Sequence, residues 1–295
     1  MTRVGLVGAG PWAERFHAPM LAGAADLELV AVWARRRAAA EELAGRFGAS
    51  AAEALDDLLD RCDVVAFAVP PDVQADLALR AAEAGRHLLL EKPIATTLAD
   101  AERLAAAVDR AGVRSQLVLT IRYRTEVREF LAGLTGSVEY VRGSYLGTGA
   151  LRESPFATPW RRESGAELLD VGPHTLDLMD AVAGPVVEVD ARTRAGITTV
   201  ATRHADGALG QAVLSITTPD GPGGVDLDVV TDTGFVTMPT APADEAQIWR
   251  TLTEELAATA AGRPHPLDVQ HGLRLQRVLD AVGRSVAAGH PIALL

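Results

Sequence analysis

The stretch that decides the fold is Val4-Gly5-Leu6-Val7-Gly8-Ala9-Gly10-Pro11-Trp12-Ala13, residues 4–13. Its first four residues form a short apolar run, which is typical of a buried strand. Gly8 and Gly10 permit a tight turn and a close backbone approach, and Pro11 suits the first turn of a helix. A strand that passes through such a turn into a helix predicts a parallel α/β unit at the start of the chain.

The first 120 residues alternate apolar runs with helical patterns. Thr97, followed three residues later by Asp100, is a weak relative of a capping box at a helix start. The predicted strands are Val4–Val7, Leu29–Trp33, Val64–Val69, His87–Leu90 and Leu117–Thr120, and the predicted helices include Ala38–Phe47, Val73–Ala84 and Leu98–Ala111. This order predicts right-handed βαβ units in a parallel sheet covered on both faces, and therefore an α/β domain over residues 1–120.

Beyond residue 120 the strands become longer and partly alternating, which is typical of sheets with one covered face. The predicted strands are Ser137–Tyr145, Val186–Thr193, Thr198–His204, Ala208–Thr217, Val225–Thr231 and Gly234–Met238, and the predicted late helices are Glu245–Ala261 and Val269–Ala288. We therefore expect residues 121–295 to form a second α/β domain with an open, mostly antiparallel sheet.

The composition restricts the partners. The chain has 295 residues and a formal net charge of −11, so no domain-wide basic surface is available for nucleic acid. No apolar stretch approaches the roughly 18 residues that span a bilayer, and because the first apolar strand is predicted to start at Val4, we expect no signal peptide. We expect a cytoplasmic protein with a small-molecule substrate. Cys62, the single cysteine, excludes an internal disulfide and a cysteine-based metal site, and is expected to be a small buried residue.

The glycine-rich turn has the form of a dinucleotide fingerprint. Gly8 permits the turn, Gly10 lets the backbone approach a pyrophosphate, and Ala13 replaces the third glycine against the strand. The pyrophosphate would then lie at the start of the helix, where free N–H groups and the helix dipole favour an anion. The other interpretation is an ordinary glycine-rich turn.

The end of the second strand selects the nucleotide. An NAD site needs an acid there for the ribose 2′-hydroxyl, but this chain has Ala34-Arg35-Arg36. Arginines bind phosphate with charge-assisted hydrogen bonds, so NADP is expected and NAD is the weaker alternative. A solvated basic helix turn would give the same pattern. The residues expected to contact the dinucleotide are Gly8, Gly10, Pro11, Trp12, Ala13, Trp33, Ala34, Arg35, Arg36, Val69, Pro70, Glu91 and Lys92.

The tripeptide Glu91-Lys92-Pro93 follows the buried strand His87–Leu90. Open α/β sheets bind their ligands at the carboxyl ends of the strands, so Lys92 is a candidate for substrate or proton chemistry. The other interpretation of a charged residue before a proline is an ordinary turn.

A second candidate segment contains Asp170, His174 and Asp177, spaced i, i+4, i+7, which would share one face of a helix. His174 can exchange protons near neutral pH, and Asp170 could orient it. Pro173 predicts a kink or a new helix start near Gly172. Two alternatives stay open, a buried structural histidine and a metal site, although no HExxH-type spacing occurs and we expect no metal.

With these motifs in this order, the chain resembles the Gfo/Idh/MocA oxidoreductases, the family of glucose-fructose oxidoreductase and inositol dehydrogenase. The resemblance rests on the fingerprint at 8–13, Glu91-Lys92-Pro93, and the block from Trp160-Arg161 through Asp170 and His174. It implies a Rossmann domain and an open-sheet domain that often forms dimers or tetramers. It further implies that Lys92 is the catalytic lysine, Asp170 its partner acid and His174 the proton donor or acceptor.

Three functions are compatible with this resemblance. The first is an NADP(H)-dependent oxidoreductase that acts on a sugar-like, cyclitol or related keto or hydroxy compound, in which Lys92 positions the substrate oxygen and His174 passes the proton. The second is a hydrolase or lyase that holds its nucleotide and recycles the hydride. The third is a non-catalytic NADPH sensor, which would not need the set of Lys92, Asp170 and His174.

Overall fold

The computed structural model describes residues 1–151, 154 and 159–294. The chain divides into two compact units. The first contains Met1–Leu119 and Asp244–Leu273, and the second contains Thr120–Ala243 and the residues from Arg274 onward. The first break lies next to the predicted one, but residues 244–273 group with the first unit although the sequence reading assigned them to the second.

The first unit contains a six-stranded sheet in the order β3-β2-β1-β4-β5-β6, in which all neighbours are parallel. Its strands are β1 Thr2–Val7, β2 Leu27–Trp33, β3 Ser50–Ala51, β4 Val64–Phe67, β5 His87–Leu90 and β6 Ser115–Leu117. This strand order is that of a doubly wound dinucleotide-binding sheet, so the predicted parallel α/β fold is confirmed. The last predicted strand ends early, because Thr120–Tyr123 forms a 3₁₀ turn.

Helices connect these strands. A π-helical segment, Ala13–His17, is followed by α1 Ala18–Ala22, α2 Arg37–Arg46, α3 Leu55–Arg61, α4 Pro71–Glu83 and α5 Leu98–Ala111. The capping interaction predicted for α5 is confirmed, because the Asp100 amide donates a hydrogen bond to Thr97 Oγ1 at 3.1 Å. Helix α3 and the π-helical segment were not predicted.

The second unit contains a seven-stranded sheet in the order β12-β11-β7-β10-β9-β8-β13. Its strands are β7 Val138–Leu146, β8 Val186–Arg194, β9 Ile197–His204, β10 Leu209–Ser215, β11 Asp226–Thr231, β12 Gly234–Thr237 and β13 Ile292–Ala293. Only the pair β7 and β10 is parallel, so the predicted mostly antiparallel sheet is confirmed. Residues alternate between exposed and buried along β9, which leaves one face of the sheet open.

The remaining helices are α6 Thr125–Gly133, α7 Ala166–Asp170, α8 Gly172–Ala183, α9 Glu245–Ala260 and α10 Val269–Ala288. Helix α9 belongs to the first unit. In the second unit, Leu176 and Met179 of α8 and Leu279 of α10 join one apolar cluster with Val141 and Leu227 of the sheet. The sheet is therefore covered on one face by α8 and part of α10.

The core of the first unit is formed by strands that are buried on both faces, since β4 has no exposed residue. Cys62 lies next to this strand and is fully buried. Burial raises the pKa of its thiol to about 11, so the thiol stays protonated and acts as a small apolar group. No helix among the described residues is long and apolar enough to cross a membrane.

Candidate active site

The turn after β1 is built tightly around Gly8. Its φ of 121° lies in a region that L side chains rarely adopt, and a Cβ there would lie 2.3 Å from the Ala68 carbonyl oxygen. The Gly8 amide donates to the Trp33 carbonyl at 2.8 Å, and the Ala68 amide donates to the Val7 carbonyl at 2.8 Å. The ends of β1, β2 and β4 thus meet where the strand order reverses, which is the usual ligand position in such sheets.

Gly10 lies against open space, since a Cβ built there would have no protein atom within 4 Å. The Glu14 amide donates to the Gly10 carbonyl at 3.0 Å, so the first helical turn starts at this glycine. Pro11 is exposed, and Ala13 is fully buried, as close packing of the helix on the sheet requires. An uncovered glycine backbone beside a helix start fits the pyrophosphate of a dinucleotide.

Three arginines follow β2 and differ in their partners. Arg37 binds Glu41 at 2.8 Å and Glu53 at 3.6 Å. Arg35 and Arg36 are exposed, and neither pairs with a carboxylate among the residues that the structure describes. These two guanidinium groups are therefore available to an external anion, whereas that of Arg37 is engaged within the protein.

Lys92 lies directly after β5 and is half-buried. It is the only lysine among the 28 lysines and arginines of the chain. An arginine presents a planar guanidinium with its donors in a fixed fork, whereas a lysine presents a compact ammonium with three donors on a flexible stem. The chain thus has arginine at all its other lysine or arginine positions, which marks Lys92 as a candidate for a role that depends on the shape of the ammonium group. This compositional signal was present in the sequence and was missed.

Residues 91–93, which follow β5 and contain Lys92, are called the lysine loop. The Glu91 carboxylate connects this loop by hydrogen bonds to the segment after β1. Its Oε1 accepts a hydrogen bond from Trp12 Nε1 at 2.6 Å and lies 2.8 Å from His17 Nε2. Trp12 and His17 are five residues apart, which would put them about 140° apart on a regular α-helix. The π-helical segment brings them to one side, because its bonds run from i to i+5. No local sequence pattern indicates this approach of His17 to Glu91.

Several of the predicted nucleotide contacts lie together in the first unit. Val69 and Pro70 connect β4 to α4, and Val69 Cγ1 would lie 3.2 Å from a Cβ at Gly8. Trp12, in the glycine-rich turn, donates a hydrogen bond to the Glu91 carboxylate. The turns after β1, β4 and β5 therefore form one group of residues around the carboxyl ends of the sheet.

The Asp170 segment differs from its predicted form. Asp170 ends α7, and His174 and Asp177 belong to α8, which starts at Gly172 with Pro173 in its first turn. The predicted helix start near Gly172 is confirmed. Asp170 therefore lies on a different helix from His174 and Asp177, with Val171 between the two, so the three residues are not on one continuous helix.

Both carboxylates of this segment are paired with arginines of the second unit. Asp170 is buried and binds Arg161 through Nε at 2.7 Å and Nη2 at 2.9 Å. Asp177 is almost fully buried, and Arg122 Nη1 donates to both of its oxygens, at 2.9 and 3.1 Å. Such pairs hold the carboxylates in fixed orientations. Each carboxylate is thus engaged in an ion pair, and no group of three metal-ligating side chains occurs in the described part of the chain.

Further groups surround Asp170. The Arg161 guanidinium lies 4.8 Å from the centre of the Trp160 ring, in the geometry of a cation–π contact. Burial, followed by the negative charge of Asp170, raises the pKa of Tyr145, so its phenol remains protonated at neutral pH. His174 is half-buried on α8. Sequence reasoning gave no role to Tyr145 or Arg161, because pairing across elements leaves no local pattern.

Comparison with known proteins agrees with both units. A family described as oxidoreductases with an NAD-binding Rossmann fold matches residues 2–118. The corresponding C-terminal domain matches residues 124–237.

Three individual relatives illustrate the range of similarity. Glucose-6-phosphate 3-dehydrogenase of Bacillus subtilis is 28% identical over 61% of this chain, but the match spans only 53% of that relative. An uncharacterised oxidoreductase of Rhizobium meliloti is 27% identical over 98% of both chains. The structure of GenD2 from gentamicin A biosynthesis, in complex with NAD, superposes with a TM-score of 0.85 at 25% identity over 100% of this chain and 96% of that one.

Proposed function

Because the chain belongs to the Gfo/Idh/MocA oxidoreductase family, we propose that it is an NADP(H)-dependent oxidoreductase of a sugar-like, cyclitol or related keto or hydroxy compound. The observation that carries the proposal is the single lysine, Lys92. It follows β5 in the lysine loop, and a hydrogen bond between Glu91 and Trp12 connects this loop to the glycine-rich turn at residues 8–13, here called the dinucleotide turn. A sugar-like substrate is further supported by relatives such as glucose-6-phosphate 3-dehydrogenase.

The proposed roles follow from the chemistry of each side chain. The ammonium group of Lys92 donates a hydrogen bond to the reacting substrate oxygen and stabilises negative charge there. The imidazole of His174 takes the proton of that oxygen during oxidation and returns it during reduction. Asp170, oriented by Arg161, provides a fixed carboxylate for the role of partner acid that the family resemblance implies.

The residues of the first unit fit a dinucleotide. The open space at Gly10 would accept the pyrophosphate, and the exposed guanidinium groups of Arg35 and Arg36 would bind the 2′-phosphate of NADP. Trp33 and Ala34 at the end of β2 would face the adenosine. When bound, the nicotinamide supplies or accepts the hydride.

The test of this function is a screen of ketosugars and polyols with NADPH and NADP, followed by nicotinamide absorbance. We expect turnover with at least one compound and a loss of about 10²- to 10⁴-fold in kcat for His174→Gln, which cannot exchange the proton. Product without net change in absorbance would instead favour the hydrolase or lyase. Tight NADPH binding without any product would favour the sensor.

The choice of nucleotide can be tested separately. The double variant Arg35→Ala, Arg36→Ala should bind NADPH about 10- to 100-fold more weakly, because charge-assisted hydrogen bonds to the 2′-phosphate are lost, and should bind NADH as before. Arg37→Ala is the matched control, since this arginine is engaged by Glu41 and Glu53. Fluorescence titration measures both affinities. Equal affinity of the unmodified protein for NADH and NADPH would contradict the proposal.

We also propose that the open face of the second sheet forms a homodimer or homotetramer. Phe235, Val230, Tyr140 and Leu209 lie side by side in register across four strands. Phe235 is 66% and Leu209 56% exposed, so an apolar row faces outward.

This assembly predicts that Phe235→Glu with Leu209→Glu gives a monomer, because the charges cannot be buried in an apolar interface. Light scattering after size-exclusion chromatography measures the mass. Val286→Glu, at an exposed apolar position of α10, is the control and should keep the mass of the unmodified protein. A monomeric unmodified protein would refute the assembly.

A further inference from the structure

Gln74 of α4 binds the backbone on both sides of Lys92. Its side chain is fully buried. Its Oε1 accepts a hydrogen bond from the Glu91 amide at 2.8 Å. Its Nε2 donates to the carbonyl oxygens of Glu91 at 2.8 Å and Pro93 at 3.1 Å, with that of Ile94 further away at 3.4 Å. One amide group therefore satisfies a donor and two acceptors of the lysine loop.

An amide is well suited to this position, because it carries a donor and an acceptor on one rigid plane. The loop after β5 has left the sheet, so its buried polar groups need partners outside the strand ladder. The backbone atoms of Glu91 and Pro93 flank the Cα of Lys92. Because Gln74 binds the backbone on both sides, the position of the Lys92 Cα is restricted, and with it the region that the Lys92 side chain can reach.

Glu91 adds a second connection. Its carboxylate binds Trp12 and His17, and the Trp12 ring stacks on Phe16 with centroids 4.6 Å apart and an angle of 7°. Trp12 belongs to the glycine-rich turn predicted to hold the pyrophosphate. The position of the lysine loop is thus linked through side chains to the dinucleotide turn.

We propose that Gln74 is a positioning residue that sets the location of Lys92, and that Glu91 transmits nucleotide binding at the turn after β1 to this lysine. The proposal rests on the proposed function for the role of Lys92, but its geometry involves only the first unit. A purely structural role would predict that loss of Gln74 lowers stability without a specific effect on Lys92.

The single lysine allows a direct test without any substrate. Reductive methylation with ¹³C-formaldehyde labels only Lys92 and the amino terminus, so the NMR spectrum contains a single side-chain methyl resonance, that of Lys92, beside that of the amino terminus. We expect that Gln74→Leu changes the Lys92 methyl resonance and weakens its response to added NADPH. The loop is then no longer held by the amide.

Gln116→Leu is the matched control. Gln116 is also a fully buried glutamine of the first unit, and it donates to a backbone carbonyl, that of Leu252, at 3.1 Å. Both variants should lose similar thermal stability, but only Gln74→Leu should change the Lys92 resonance. On a substrate found in the screen, Gln74→Leu should lower kcat by about 10²-fold with little change in the KM for NADPH.

The outcomes separate this inference from the proposed function. If the Lys92 resonance and its NADPH response in Gln74→Leu match those of the unmodified protein, the positioning role is refuted whatever the screen shows. A failed screen, in turn, leaves the NMR result decisive for the positioning role. Should Gln74→Leu not fold, Gln74→Asn keeps an amide donor and acceptor on a side chain that is one methylene shorter, so the hydrogen bonds to the lysine loop are weakened but no buried charge is introduced. It should give a smaller change of the same kind, and an unchanged resonance would refute the role.

Discussion

Replacing Lys92 with arginine should lower kcat by about 10²- to 10⁴-fold while NADPH still binds within about threefold of the unmodified affinity. The exchange keeps the positive charge, but a guanidinium is planar and larger and presents its donors in a fixed fork, so it cannot place one N–H where the ammonium does. The half-buried position after β5 leaves a long side chain limited freedom to adapt. Steady-state kinetics on the substrate found in the screen, together with NADPH titration, measures the two effects.

The reverse exchange provides the control. Arg103 on α5 binds Asp76 at 2.9 Å and Asp100 at 2.8 Å on the exposed surface. Arg103→Lys should leave kcat unchanged and cost little stability, because exposed ion pairs contribute only about 0–1 kcal/mol. Full activity of Lys92→Arg would mean that only the charge of Lys92 matters, and would remove the argument drawn from its being the single lysine.

The second large effect is expected from the two glycines of the dinucleotide turn, which should respond to alanine in opposite ways. A Cβ at Gly8 would lie 2.3 Å from the Ala68 carbonyl oxygen, at a φ of 121°. Gly8→Ala should therefore destabilise the protein by about 3 kcal/mol or more, since both backbone strain and a steric conflict are involved. Thermal unfolding followed by circular dichroism measures this loss.

Gly10→Ala should fold as well as the unmodified protein, because its Cβ would meet no protein atom within 4 Å. The methyl group would instead occupy the space proposed for the pyrophosphate, so NADPH should bind at least about tenfold more weakly. The two variants thus distinguish a glycine that folding requires, Gly8, from a glycine that dinucleotide binding requires, Gly10. If Gly10→Ala bound NADPH with unmodified affinity, the dinucleotide would not lie along this turn.

Much of the fold could be predicted from local patterns. The bounds of α5 and α10 agree with those predicted, since amphipathic spacing and, at Thr97, a side-chain cap define them. The early part of the chain was harder. The π-helical segment at Ala13–His17 has no local signal that distinguishes it from an α-helix, so the approach of His17 to Glu91 was missed.

The candidate site residues likewise fall into those with a local sequence signal and those without one. Gly8, Gly10 and Lys92 were recognisable because each is a residue type with an unusual local property, in a motif of fixed spacing. Gln74 was not recognised, and Arg161 was noted only as part of the family motif, without a role. Gln74 lies 17 residues from Glu91, and Arg161 acts through an ion pair with Asp170 on another element.

By itself, the sequence determined the order of strands and helices, the glycine-rich turn and the presence of one lysine, because these depend on residue type and short spacing. Tertiary structure alone decided that residues 244–273 group with the first unit, that β7 and β10 pair in parallel, and that Gln74 holds the lysine loop. The physical reason is that these features depend on which distant backbone and side-chain groups become buried together. Each buried polar group then requires a partner that no local pattern specifies.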